Sequence, residues 1–337
     1  MIRSEHAGPI ATIADEQGLP LVATVDIDGD RVVEVARGEA DRRCGRPISA
    51  ATRLALASGT KTFTAVTVMS LVADGTLTLD EPVRRHLGDD LPLIDDSVTV
   101  EHLLAHWSGI GDYLDEEAME GPADYVMQIP LHRLHSAESY LQALDGFPQV
   151  GEPGESFVYN NGGYVVLAIV AERAAGRPYA ALVEERAIVP AGLRSTSFER
   201  ADELPPDVAI GYLELTGFRT NSLHIPLIGV GDGGLTSTVD DIDWFWRALY
   251  SGVLLPSELV DAMVAPRSTS DWGPRYGLGL WLDSSGPVAM MEGADAGISF
   301  RSLHDPTTRT TATVISNTST GAWPVARLFT EEMFGHG

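Results

Sequence analysis

The sequence predicts an α/β (α+β) protein, with one antiparallel sheet flanked by helices and interrupted by a mainly helical lobe. Three observations carry this. Residues 20–36 alternate apolar and polar positions about Asp28-Gly29, the pattern of a β-hairpin. Residues 58–74 read as a helix with apolar side chains round nearly its whole circumference, which requires burial on most sides. After Gly229 strand candidates return, and they can join the N-terminal hairpin in one sheet. The expected division is a discontinuous sheet domain, residues 1–78 and 228–337, around an inserted lobe, residues 79–227. A cleft is expected between the two.

Each element has a local reason. Leu21–Ile27 and Arg31–Val35 are the two arms of the hairpin, and a polar, glycine-containing link from Gly38 to Thr52 follows. Phe63, Val66, Met69 and Val72, with Ala65, Val68 and Leu71 between them, build the central helix, and Gly75 ends it. In the middle of the chain, Thr99 is placed to cap a helix beginning at Val100. Gly162–Gly176 and Pro178–Ile188 read as two more helices. Gly231-Asp232-Gly233-Gly234 is a loop leading to a helix over Asp240–Tyr250. Four strand candidates come next: Tyr276–Leu282, Val288–Met291, Ile298–Leu303 and Thr310–Ser316. A helix over Ala322–Phe334 closes the order.

Composition excludes several functions. The chain has 337 residues and a formal net charge of −25. Such an excess of carboxylates repels nucleic-acid phosphates and anionic membranes, so neither is expected as a partner. No run approaches the roughly 18 apolar residues of a membrane span. Glu5, Asp15 and Glu16 break up any signal-peptide core, and a cytoplasmic protein is the expectation. The single cysteine, Cys44, cannot form an internal disulfide.

Chemistry concentrates first at Ser58-Gly59-Thr60-Lys61. Serine and lysine three apart share a helix face. Ser58 falls at a helix N-terminus, where backbone N–H groups favour developing negative charge. Lys61 falls inside an apolar helix, where desolvation favours a neutral amine able to act as a base. By itself the pair also fits a capping serine and a solvated lysine. A second element, Phe157-Val158-Tyr159-Asn160-Asn161-Gly162-Gly163-Tyr164, places a tyrosine in a tight loop just before a helix. Beside an ammonium, a phenol ionises more easily and can serve as a base.

In combination these motifs carry a resemblance. Leu56–Thr64, Leu71–Val83, Val100–Gly109, Phe157–Tyr164 and Gly233-Gly234-Leu235-Thr236-Ser237-Thr238 follow one another in the order of the serine β-lactamase and penicillin-binding-protein superfamily. The chain resembles the branch of class C β-lactamases, DD-peptidases and related esterases over nearly its whole length. The resemblance implies a β-lactamase/transpeptidase-like fold and a Ser58 acyl-enzyme. It implies proton relay by Lys61 and Tyr159, with the choice of base between them open. Asn161 is then expected to contact Lys61 or a substrate amide. The backbone N–H groups of Ser58 and Ala294 are expected to form the oxyanion hole.

One motif departs from that family. Its Lys-Thr-Gly or His-x-Gly strand corresponds to Met291-Glu292-Gly293 here, so Met291 stands where a cation is expected. Substrates bearing a carboxylate, such as penicillins, are disfavoured by that change. Met291, Glu292, Gly293 and Ala294 are the expected substrate-binding strand, and Gly293 allows close approach. Glu292 is either a contact for a substrate amine or an exposed strand carboxylate.

The expected function is therefore hydrolysis or acyl transfer of a small-molecule ester or amide, without cofactor or metal. Alternatives are a catalytically weak relative that binds a ligand or partner, and a D-amino acid amidase, peptidase or β-lactamase. His102 and His106, four apart, have the spacing of two metal ligands but lack the following glutamate of a metalloprotease, and read as structural. His132 and His135 lie in a loop near the expected cleft. The sequence leaves the oligomeric state open.

Overall fold

The computed structural model describes residues 7–114, 121, 124–269, 273–284 and 286–334. Its centre is an antiparallel sheet of eight strands. These are β1 Leu21–Ile27, β2 Asp30–Arg37, β3 Ser268–Thr269, β4 Arg275–Tyr276, β5 Trp281–Leu282, β6 Ala289–Asp295, β7 Ile298–Asp305 and β8 Thr310–Ser316. Their spatial order is β2-β1-β8-β7-β6-β5-β4-β3. Chain order and spatial order part at one place, where β1 lies against β8 from Leu21↔Ser316 to Ile27↔Thr310. The N-terminal hairpin and the last strands therefore form one sheet, as the strand pattern predicts. The hairpin turns on Asp28 and Gly29 at φ 55° and 86°, the doubly left-handed geometry that matches strand twist.

Two layers of helix cover the sheet. On one face α1, Ala7–Gln17, and a C-terminal helix, Trp323–Leu328, bury Ile10, Val25, Val314 and Phe329 in one cluster. On the other lies α2, Thr60–Ala73, in which every residue from Thr60 to Leu71 is buried. Its threonines do not break this burial because their hydroxyls find carbonyls. Thr62 donates to Gly279 at 2.8 Å, Thr64 to Gly231 at 2.6 Å and Thr67 to Phe63 at 2.8 Å. The residues between β2 and β3 supply the remaining helices, among them Asn161–Ala175 and Val239–Tyr250. The Thr99 cap is present and reciprocal. Its Oγ accepts from the His102 N–H at 3.2 Å, and His102 Nδ1 accepts from the Thr99 N–H at 3.3 Å.

Three expectations change. Helix α1 has no counterpart in the sequence reading, since only Ile10 and Ala14 of its 11 residues are buried. Tyr276–Leu282 is not one strand but two short ones, with Tyr276 paired to Trp281 across a turn at Gly277–Leu280. The closing helix is regular only to Leu328 and widens into a π-turn over Phe329–Met333. No helix among the described residues is long and apolar enough to cross a membrane.

Candidate active site

Ser58 sits on a single 3-10 turn, Ala57–Gly59, that leads into α2. Ala57 holds a φ of +45°, unusual for a residue with a Cβ and a form of local strain. Two glycines let this turn lie flat on the sheet. A Cβ on Gly59 would come within 2.4 Å of the Phe300 ring on β7. A Cβ on Gly293 would lie 2.0 Å from the Leu56 carbonyl oxygen and 2.9 Å from the amide nitrogens of Ser58 and Gly59. Strand β6 thus presses its backbone against the backbone N–H of the serine.

Lys61 is 2% exposed, one turn into α2. Its Nζ reaches Ser58 Oγ at 2.9 Å, Asn161 Oδ1 at 2.7 Å and the Asp232 carbonyl at 3.1 Å. The three contacts occupy all three positions open around the nitrogen. For Lys61 to take a proton from Ser58 it must be the neutral amine: its lone pair then accepts from the serine hydroxyl, which turns to donate, while its two N–H groups stay on Asn161 and Asp232. Asp232 belongs to the Gly231–Gly234 loop, which a short strand, Leu235–Ser237, carries to the serine by pairing with Leu54–Ala55.

Tyr159 comes from the other side. Its half-buried ring has its centroid 5.0 Å from Lys61 Nζ, stacks on Trp281 at 5.9 Å, and lies 4.4 Å from the His106 ring. Asn161, 2% exposed, is the first residue of its helix. Asp112 accepts the N–H of Asn161 at 2.6 Å and that of Gly162 at 2.9 Å. Burial pushes the Asp112 carboxyl up to about 6 despite these hydrogen bonds. Burial, and then the charge of Lys61, hold the His106 imidazole well below its usual value.

A cleft of about 270 Å³ opens at the serine. Ser58, Tyr113, Asn161, Asp232, Ala294 and Asp295 are among its walls. No lysine or arginine is among the described residues that line it. Tyr113 donates to Asp232 Oδ2 at 2.5 Å. The cleft walls around Ser58 thus carry the carboxyl groups of Glu199, Asp232 and Asp295, and Lys61 beside the serine is engaged by Asn161 and Asp232.

The structure brings Ser58, Lys61, Asn161 and Tyr159 together, and sets Gly293 and Ala294 beside them. It corrects the other two strand residues. Met291 is 1% exposed and belongs to the hydrophobic core, so it offers a substrate no surface. Glu292 points to the opposite face of the sheet, because strand side chains alternate and Gly293 faces the serine turn. There Arg301 donates to its Oε2 at 2.6 Å through Nε, and the same guanidinium reaches Thr330 Oγ1 at 3.1 Å. Glu292 is a structural ion-pair partner, not a contact for a substrate amine.

The histidines are also placed. His102 serves the Thr99 cap, and His106 Nδ1 accepts from the Asn160 N–H at 3.1 Å. Among the described residues no three His, Cys, Asp or Glu side chains converge to hold a metal. His132 and His135 are exposed and do not line the cleft. Asp112, Asp232 and Trp281 were not singled out from the sequence. Asp232 had the only local signal, its glycine-rich loop. Asp112 and Trp281 reach the site through contacts distant in sequence.

A serine hydrogen-bonded to a buried lysine, at the start of a helix laid across an antiparallel sheet, is an arrangement of the serine-hydrolase kind. The family profile described as Beta-lactamase matches residues 9–333, and the chain belongs to that family. Among solved structures, it is similar to a penicillin-binding protein from Bacillus halodurans, with a TM-score of 0.88 and 31% identity, covering 94% of this chain and 98% of that one. It is also similar to a D-stereospecific amidohydrolase from Streptomyces sp., with a TM-score of 0.79 and 25% identity, covering 98% of each chain. Esterase EstB from Burkholderia gladioli is 36% identical over 200 residues, which are 57% of this chain and 49% of EstB. The chain spans about half the length of the curated relatives it matches.

Proposed function

We propose that this chain hydrolyses, or transfers the acyl group of, small uncharged esters or amides through an acyl-enzyme on Ser58. The observation that carries this is the 2.9 Å contact between Lys61 Nζ and Ser58 Oγ, at the floor of a cleft without a free cation among its described lining residues. Ser58 Oγ attacks the carbonyl carbon as its proton passes to the Lys61–Tyr159 pair. The oxyanion forms against the N–H groups of Ser58 and Ala294, which the contact of β6 with the serine turn favours. Collapse breaks the ester or amide bond, and the proton leaves with the alcohol or amine. Water or another acceptor then releases the acyl group by the same steps reversed. The chemistry needs no metal or cofactor.

The carboxylates Asp232 and Asp295 in the cleft wall disfavour substrates that carry their own carboxylate. A β-lactam ring acid or a peptide C-terminus meets repulsion there, whereas a neutral ester or amide does not. Two of the similar proteins, an esterase and a D-stereospecific amidohydrolase, support this reading. The test is a hydrolysis screen over p-nitrophenyl esters, D- and L-amino acid amides and a chromogenic cephalosporin, with Ser58→Ala beside the wild type. Turnover of neutral substrates that Ser58→Ala abolishes is expected. Equal fluorophosphonate labelling of Ser58→Ala and wild type would overturn the proposal.

A further inference from the structure

We infer that the segment from His106 to Asp112 is a template that sets the positions of Tyr159 and Asn161, with His106 and Asp112 as positioning residues acting through those two side chains. This rests on the proposed role of Ser58, Lys61 and Tyr159.

The backbone of the tyrosine loop is held from one side. The Val158 N–H donates to the His106 carbonyl at 2.9 Å, and the Asn160 N–H donates to His106 Nδ1 at 3.1 Å. One residue therefore grips the chain immediately before and immediately after Tyr159, and its ring also packs on the tyrosine ring. Asn160 Nδ2 donates to the Ile110 carbonyl at 2.8 Å. The next two N–H groups, of Asn161 and Gly162, both go to the Asp112 carboxylate. Asn161 in turn accepts from Lys61 at 2.7 Å, so the grip extends to the residue that touches the nucleophile.

Histidine at 106 satisfies one buried group and leaves another unpaired. Its Nδ1 accepts, so the proton resides on Nε2, which is buried and has no hydrogen-bond partner among the described residues. A leucine would remove that unpaired donor but leave the buried Asn160 N–H without its acceptor, so the two effects oppose each other. What leucine cannot supply is the acceptor that fixes the Asn160 N–H. Asparagine can supply one from a similar place, and it tolerates the φ of +56° found at 106.

The experiment compares His106→Leu, His106→Asn, Asp112→Asn and Tyr159→Phe in steady-state hydrolysis of a neutral p-nitrophenyl ester, with thermal unfolding of each. A misplacement of about 1 Å costs up to about 100-fold in rate. His106→Leu should therefore lose kcat on the order of 10–100-fold with KM nearly unchanged, His106→Asn should recover most of it, and Asp112→Asn should lose about tenfold. In the Tyr159→Phe background, His106→Leu should add little, because both act through the same hydroxyl. A folded His106→Leu within twofold of wild-type kcat overturns the inference, as do losses that multiply fully with Tyr159→Phe. Should His106→Leu fail to fold, Asp112→Asn decides: kcat within twofold of wild type refutes the template. Failure of the underlying mechanism looks different, since wild type and Ser58→Ala would then hydrolyse the ester alike.

Discussion

Replacing Gly293 by alanine tests how closely β6 must lie against the serine turn. The added Cβ would sit 2.0 Å from the Leu56 carbonyl oxygen, and ordinary contacts of a Cβ begin near 3.4 Å. The atoms it meets belong to backbone, so no side chain can swing aside. Strand and turn must part by more than an ångström. A shift of about 1 Å between reacting groups costs on the order of 100-fold in rate, or about 2.7 kcal/mol of barrier. The overpacking itself costs roughly 1–3 kcal/mol of stability, which lowers the melting temperature by several degrees and leaves the protein folded. The assay is stopped-flow acylation by a p-nitrophenyl ester, with fluorophosphonate titration to count competent sites and circular dichroism to confirm the fold. The acylation rate should fall about 100-fold. A folded Gly293→Ala enzyme that acylates within threefold of wild type would show that contact between strand and turn does not set the oxyanion geometry.

Two further outcomes follow from the same structure. Glu292→Gln should leave the ratio of kcat/KM for amine-bearing and neutral esters within about twofold, because its partner is Arg301 on the far face of the sheet. A loss of preference for the amine-bearing ester would return Glu292 to the substrate site. Asp26 is 3% exposed, pairs with Arg31 at 2.7 Å, and is pushed up to about 6 by burial, against a usual value near 4. Its contribution to stability is complete below about pH 4 and is lost as the pH rises through 6. Asp26→Asn should therefore gain on wild type by roughly 2–3 kcal/mol between pH 4 and pH 7, with Arg31 still held by Glu34 and Asp240. Urea unfolding at intervals across that range measures it, and a difference that does not change with pH refutes the assignment.

Much of the site was legible because its signals are local. Ser58 and Lys61 meet through one helical turn, and that spacing needs no tertiary knowledge. Tyr159 and Asn161 were readable from their place before a helix and from the resemblance in motif order. The strand carrying Gly293 was also found, yet its side-chain directions were misread. Placing Glu292 in the site ignored alternation, since Gly293 beside it faces the serine turn and two neighbours on a strand cannot share a face.

The sequence by itself determined the hairpin, the buried helix, the final strands and the serine–lysine pair, because periodicity and short spacing encode contacts between near neighbours. Tertiary structure decided everything that depends on partners far along the chain. It removed Met291 to the core and Glu292 to Arg301, and it lined the cleft with Asp232 and Asp295 without a lysine or arginine among the described residues. It also bound His106 and Asp112 to a loop some fifty residues away. Burial and the sign of a local field are sums over all surrounding segments, and no window of sequence contains those sums.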